Sequence, residues 1–260
     1  MAKHMTPDDI NTVFESWCEA HSKPAWLPST SDTQESTSFF GGSPEFSSSS
    51  EWPCCDGCKK PMLFFMQLDL STLPAEYSEA TGTGFVQLYH CDSGDGMCES
   101  YLPFAKANEV RFFNHGVNIT TPVELETLRK KSIVSWSQHT ETPHPEEHET
   151  YGISYDYDFA QRLVTIKCKD PALVIEDLDI DIEVAEIIST SQPGDKLGGW
   201  SYWVQSAEYP KCPKCQSLMD VVMQIDSEIN LDYMFGDSGV GHISRCKQHP
   251  DIFGFGWACC

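Results

Sequence analysis

Residues 41–69 read GGSPEFSSSSEWPCCDGCKKPMLFFMQLD, and residues 198–226 read GGWSYWVQSAEYPKCPKCQSLMDVVMQID. Laid over each other without gaps, at an offset of 157, eleven of the 29 positions are identical. Ordinary composition predicts about two. Gly41-Gly42 falls on Gly198-Gly199, Glu51 on Glu208, Pro53 on Pro210, Cys55 and Cys58 on Cys212 and Cys215, and Met62 on Met219. Met66-Gln67-Leu68-Asp69 falls on Met223-Gln224-Ile225-Asp226. Agreement at Cys and Met, the residue types least prone to coincide, marks an internal duplication.

The match continues after a two-residue shift, where Gly84 to Cys91 pairs with Gly239 to Cys246. Each copy reads Gly-Gly, twelve residues, Cys-x-x-Cys, an apolar strand, a loop, a second strand and a further Cys. No duplicate of Ala105 to Lys196 is visible. Leu63 to Leu70, Phe85 to Tyr89, Val110 to Phe113, Leu163 to Lys167 and Val221 to Ile225 carry the branched and aromatic residues of short strands. Thr6-Pro7-Asp8-Asp9 starts a helix, with Ile10, Phe14 and Trp17 on one face to about Glu19. Pro143 to Tyr151 reads as a short acidic helix, and Ser29 to Thr37 and Ser47 to Ser50 as loops. The expected fold is therefore α+β and β-rich: two structural repeats of antiparallel strands with Cys knuckles, behind a short N-terminal helix. The expected organisation is 1–37 helix and linker, 38–104 repeat 1, 105–196 connecting segment and 197–260 repeat 2, packed as one unit.

A Cys-x-x-Cys turn puts two thiolates on one side of a tight loop, and tetrahedral zinc needs two further ligands from a second turn. In the C-terminal copy Cys246-Lys247-Gln248-His249 supplies that turn, giving Cys212, Cys215, Cys246 and His249. In the N-terminal copy the set is Cys55, Cys58, Cys91 and Cys98. The repeat register selects Cys55 over its neighbour Cys54. Cys259 or Cys260 in place of His249, and thiols without metal, are the open alternatives. Sets made only of sulfur and imidazole leave no water-bearing position, so zinc is expected here as a structural staple. Cys18 and Cys168 stand alone as ordinary thiols.

The formal net charge is −22, from 39 acidic and 17 basic residues. A nucleic-acid or anionic-membrane partner needs a basic face, so neither is expected. A basic protein partner is compatible with this charge, as is a merely well-solvated surface. No apolar run of membrane-spanning length and no charged-then-apolar leader is visible, which predicts a cytoplasmic protein. Between Val174 and Ile188, Asp177, Asp179, Asp181 and Glu183 alternate with Leu178, Ile180, Ile182 and Val184. That period of two predicts a strand with one acidic face, a candidate partner-binding surface or a guard against edge aggregation. His139, His144 and His148, near Glu146 and Glu147, could ligate metal but read first as exposed loop residues. No nucleophile elbow, phosphate loop or dinucleotide fingerprint is present. No catalytic residue is assigned. Gln67/Asp69 and Gln224/Asp226 read as turn caps before they read as acid–base pairs.

Trp52-Pro53-x-Cys55-x-x-Cys58, Gln67-Leu68-Asp69-Leu70-Ser71-Thr72-Leu73-Pro74, Ile133-Val134-Ser135-Trp136 and Pro145-Glu146-Glu147 resemble the YwqG-like family, a bacterial domain of unknown function. So do Phe235-Gly236-Asp237-Ser238-Gly239, Cys246-Lys247-Gln248-His249 and Phe255-Gly256-Trp257-Ala258-Cys259. The repeat is distantly similar to the C-terminal domain of programmed cell death protein 2. The first resemblance implies a duplicated β-rich fold and a possible immunity role against a toxin. The second implies a chaperone of a basic ribosomal-type protein. Function is expected to be non-catalytic binding of a basic partner. The alternatives are an enzyme using the repeated Gln/Asp positions and a stand-alone structural zinc protein.

Overall fold

The computed structural model describes residues 7–93, 98–144, 146–153 and 189–260. The chain divides into two compact units. One comprises Met1–Ala25, His139–Gln192 and Gly199–Tyr202; the other comprises Trp26–Gln138, Pro193–Gly198 and Trp203–Cys260. In the first, α1 (Pro7–His21) and α3 (Glu146–Tyr151) match the expected helices. The strand expected at Leu163 to Lys167 lies outside the described residues, as does the acidic row Asp177, Asp179, Asp181 and Glu183.

Among the described residues the strands are β1 (Lys23–Ser31), β2 (Phe39–Phe40), β3 (Phe46–Ser47), β4 (Leu63–Asp69), β5 (Phe85–His90), β6 (Asn108–Phe113), β7 (Val117–Asn118), β8 (Lys131–Glu141), β9 (Lys196–Gly198), β10 (Asp220–Asp226), β11 (Val240–Arg245) and β12 (Phe253–Ala258). A helix, α2 (Ala75–Thr81), lies between β4 and β5. Ten strands form one sheet in the order β12-β11-β10-β9-β1-β8-β2-β4-β5-β6, and β3 pairs with β7. The chain is thus strand-rich, with antiparallel repeats and a short N-terminal helix, as expected. Among the described residues no helix is long and apolar enough to cross a membrane.

The sheet order states the duplication in space. Outward from the central pair β1 and β8, one arm runs β9-β10-β11-β12 and the other β2-β4-β5-β6. Both hairpins carry one extra residue at the same place: the register shifts between Phe64 and Met66 in β4 and between Val221 and Met223 in β10. The two bulged residues, Phe65 and Val222, are buried. Each binds the opposite arm. Phe65 packs on Tyr233 and Phe235, at ring distances of 4.6 and 5.8 Å. The Val222 carbonyl accepts a 2.9 Å hydrogen bond from the Tyr77 hydroxyl. Phe40, Met66, Leu68 and Leu88 from one arm and Met223, Ile225, Ile243 and Phe255 from the other share one core.

The paired glycines serve backbone geometry, as their reading as turn markers predicts. Gly41 and Gly198 have φ of 60° and 61°, and a Cβ on Gly41 would collide with the Arg129 carbonyl. The repeated Gln and Asp side chains fasten strands. Gln67 Nε2 donates to the Thr37 carbonyl and Gln224 Nε2 to the Gly194 carbonyl, both at 2.8 Å. The Asp69 amide donates to Ser38 Oγ at 2.9 Å, and the Asp226 amide to Asp195 Oδ1 at 2.7 Å. Thr37 Oγ1 donates to Asp69 Oδ2 at 2.8 Å, and the Gly194 amide to Asp226 Oδ2 at 2.7 Å. Both ends of each latch are 157 residues apart from their counterparts.

The stretch Ser29 to Ser31, expected as loop, closes β1, and Ser47 belongs to β3. Pro24 and Pro28 lie within β1. Two residues without amide hydrogens argue against a strand in the sequence, and the sheet order places this one beside β9 and β8.

One latch has diverged in chemistry. Asp195 stands where the first copy has Ser38 and also accepts from the amide and side chain of Asn230, at 3.1 and 2.8 Å. Burial is the main cause that pushes its carboxyl up to about 7 from 3.8. The folded state therefore holds the proton more tightly than the unfolded chain. Stability from this site is complete below about pH 4 and is lost as pH rises through 7. Asp195→Ser, which restores the first copy's latch, should flatten denaturation free energy between about pH 4 and pH 7, where the wild type loses up to about 4 kcal/mol. Parallel slopes for the two proteins in urea titrations across that range would contradict it.

Candidate metal centres

Each hairpin brings two cysteine-bearing loops to one end. Ahead of β4, the Cys55 amide donates to the Lys60 carbonyl at 2.9 Å and the Lys59 amide to the Cys55 carbonyl at 2.8 Å. Ahead of β10, Cys212 with Ser217 and Gln216 with Cys212 repeat these bonds at 2.9 and 2.8 Å. Lys59 and Gln216 take left-handed φ of 63° and 61°, which folds the chain sharply after the second cysteine. Cys54 bridges Pro61, and Lys211 bridges Leu218, closing the same turn twice. The other ligand pair starts one residue beyond the partner strand, because β5 ends at His90 and β11 at Arg245.

The outcome is two convergent sets: Cys55, Cys58, Cys91 and Cys98, and Cys212, Cys215, Cys246 and His249. In each, the four ligand atoms all lie within 4.8 Å of one another. Both can hold a metal ion. The eight residues are those picked out by the repeat, and the cysteines among them are free thiols. Cys58 and Cys91 sulfurs are 3.6 Å apart, as are those of Cys215 and Cys246. A disulfide needs about 2.05 Å. His249 presents Nδ1, at 3.7 Å from Cys212 Sγ and 3.6 Å from Cys246 Sγ. Cys259 instead lies against Gly236, and Cys260 is exposed, so the fourth member of the second convergent set is His249.

The surroundings favour ligation. Cys55, Cys91, Cys212 and Cys246 are buried. Phe39, Met62, Phe64 and Tyr89 pack around the first set, and Met219 and Ile252 against the second. The backbone amide of Lys60 holds the Cys58 thiol down to about 7, and the amide of Ser217, with its hydroxyl, holds Cys215 down to about 6. Burial pushes Cys91 up to about 12. Four sulfurs so close cannot all ionise by themselves, and a bound cation is what would stabilise them together as thiolates. Gly57 matters locally, since a Cβ there would sit 3.2 Å from Cys98 Sγ.

The other sequence candidates are placed elsewhere. His139 hydrogen-bonds Glu141 at 3.0 Å. Among the described residues, neither His139 nor His144 joins a convergent ligand set. The side chain of His148 and Cys168 lie outside the described residues. Gln67, Asp69 and Gln224 are buried and Asp226 is half-buried, and all four side chains bond backbone groups. Ser38, Asp195 and Thr37 complete the latches without having been singled out. Their only trace in the sequence is the 157-residue offset, because the residues themselves differ between copies.

Adjacent cysteines provide the sharpest check. Cys55 is buried in the ligand set, whereas Cys54 is exposed. Cys55→Ser should lower stability by about 3 kcal/mol or more and lose one metal equivalent, while Cys54→Ser stays within about 0.5 kcal/mol of wild type. Equal effects in denaturation and metal analysis would refute the ligand assignment.

The profile of a family described as Domain of unknown function (DUF1963) matches residues 38–244. No curated protein matches the chain.

Proposed function

We propose that this chain, which belongs to the DUF1963 family, is a zinc-stapled, non-catalytic protein that binds a basic protein partner. The observation that carries the reading is the closure of both ligand sets by four side chains of the chain itself. With Zn–S near 2.3 Å and Zn–N near 2.0–2.1 Å, a tetrahedron has S···S edges of about 3.8 Å and S···N edges of about 3.6 Å. The sulfur pairs at 3.6 Å and the sulfur–imidazole pairs at 3.6 and 3.7 Å fit such an ion. Cys55, Cys58, Cys91 and Cys98 would hold one zinc, and Cys212, Cys215, Cys246 and His249 the other. Neither set keeps a place for water or substrate, so each zinc would supply stability rather than Lewis-acid chemistry.

The excess of 39 acidic over 17 basic residues supports a partner of opposite charge, because complementary potentials speed encounter and select against acidic competitors. A toxin-immunity protein and a chaperone of a basic protein are the two roles of this kind. The enzyme alternative loses its main support with the repeated Gln and Asp side chains, which are engaged with backbone groups of their own latches and turns.

Two measurements separate the parts of this reading. A zinc-selective chelator should lower the melting temperature by about 10 °C or more, reversed by zinc; an unchanged melting curve removes the staple. Affinity-tagged protein purified at low salt should retain one stoichiometric basic partner that dissociates at high salt. Repeated purifications that yield no partner, or only an acidic one, remove the binding role.

A further inference from the structure

The two arms differ most where their third strands cross the same register. In the first arm Gln67 faces Gln87, which faces Arg111. In the second, Gln224 faces His242, which faces Gly256. Arg111 and Gly256 are thus counterparts, although their offset of 145 residues hides this in the sequence.

Arg111 fills its place completely. Its side chain is 9% exposed, and the guanidinium carbon lies 5.1 Å from the centre of the Tyr89 ring. Nε donates to Glu109 at 2.6 Å, Nη1 to Ser47 Oγ at 3.0 Å, and Nη1 and Nη2 to the Glu51 carbonyl at 3.2 Å. The second arm keeps a glutamate, Glu208, at the repeat position of Glu51, but both space-filling groups are gone. Gly256 replaces Arg111, with Pro103 packed 2.8 Å from where a Cβ at 256 would stand, and Ser244 replaces Tyr89. A cavity of about 30 Å³ is left, lined by Trp203, Glu208, His242, Ser244 and Trp257 and bounded by Pro103. That holds about two waters, or the flat end of one guanidinium. Ser244 is fully buried, and its hydroxyl has no hydrogen-bond partner among the described residues. A buried hydroxyl left unpaired costs about 1–3 kcal/mol, so the cavity calls for a polar occupant. Beside it Tyr101, Leu102 and Phe104 are exposed, an apolar rim for a larger contact.

We infer that this cavity receives the guanidinium of an arginine side chain presented by a basic protein segment. The inference rests on the basic-partner reading and deepens it. The protein shows in its first arm how such a group is held: an aromatic face, a hydroxyl, a carboxylate and the backbone at the glutamate. The second arm offers the same chemistry from different residues. Trp203 and Trp257 bring aromatic rings to the lining, Trp203 beside the His242 ring at 4.3 Å, with Ser244 the hydroxyl and Glu208 the carboxylate. The arginine itself is the missing part, and the −22 charge of the chain favours its arrival from a basic partner.

The test uses full-length protein labelled with ¹⁵N at tryptophan and N-acetyl-L-arginine amide as the probe. N-acetyl-L-citrulline amide, of similar shape but uncharged, is the control. The arginine probe should shift the Trp203 and Trp257 indole resonances saturably, in the millimolar range. Citrulline should bind about tenfold more weakly, and Glu208→Gln should weaken the arginine probe about fivefold. Ser244→Tyr, which restores the counterpart of Tyr89, should abolish the shifts; Glu208→Gln, at an exposed residue, keeps the test valid if that variant fails to fold. No saturable shift, or equal binding of citrulline, would overturn the inference and leave the cavity a hydration site. Should the wild type still capture a basic partner while the probe fails, only the arginine cavity falls. Should the probe bind while no partner is captured, the partner reading falls and the arginine site stands.

Discussion

Antiparallel pairing of β4 with β5, and of β10 with β11, is the constraint on which the rest of the structure depends. Leu63 faces His90, and Asp220 faces Arg245. Each register sets a Cys-x-x-Cys turn at the entrance of one strand beside the residues that leave the other. Slipping a strand by one residue would turn its side chains to the opposite face and part the sulfurs. The bulges at Phe65 and Val222 keep this register, and both bulged residues reach across to the opposite arm. A metal at the end of each hairpin would fix what strand pairing alone leaves able to slide.

Duplication explains the economy of the fold, and the two arms diverge at a few positions. The latches at Gln67 and Gln224 and the turns at Lys59 and Gln216 superimpose in their hydrogen bonds and dihedral angles. The departures cluster at Ser38 against Asp195, Tyr89 against Ser244 and Arg111 against Gly256. The glycines of β12 are part of this change. A Cβ at Gly254 would meet the Phe104 ring, and one at Gly256 would meet Pro103, so the segment from Tyr101 to Phe104 lies over the bare strand. Trp257 completes that contact by donating its amide to the Tyr101 carbonyl at 3.1 Å.

Much of this was legible in the sequence, for particular reasons. The knuckles, β4, β10 and the eight residues of the two convergent sets were readable because Cys, Met and Gly carry constraints that few other residues satisfy. The third strands were not matched to each other. Asn108-Glu109-Val110-Arg111-Phe112-Phe113 and Phe253-Gly254-Phe255-Gly256-Trp257-Ala258 share no residue in register, and a shorter connection changes their offset. β1 was hidden by Pro24 and Pro28. The strand β8, Lys131–Glu141, was hidden by the polar residues on its exposed side. The choice of His249 over Cys259 needed the fold, since only the path of β12 shows that Cys259 ends beside Gly236.

Native mass spectrometry with elemental analysis on freshly purified, reduced protein tests the central claim most directly. Two zinc ions per chain are expected, with eight protected ligand positions and with Cys54 and Cys260 open to alkylation. A metal-free chain whose ligand cysteines alkylate as readily as Cys54 would contradict it.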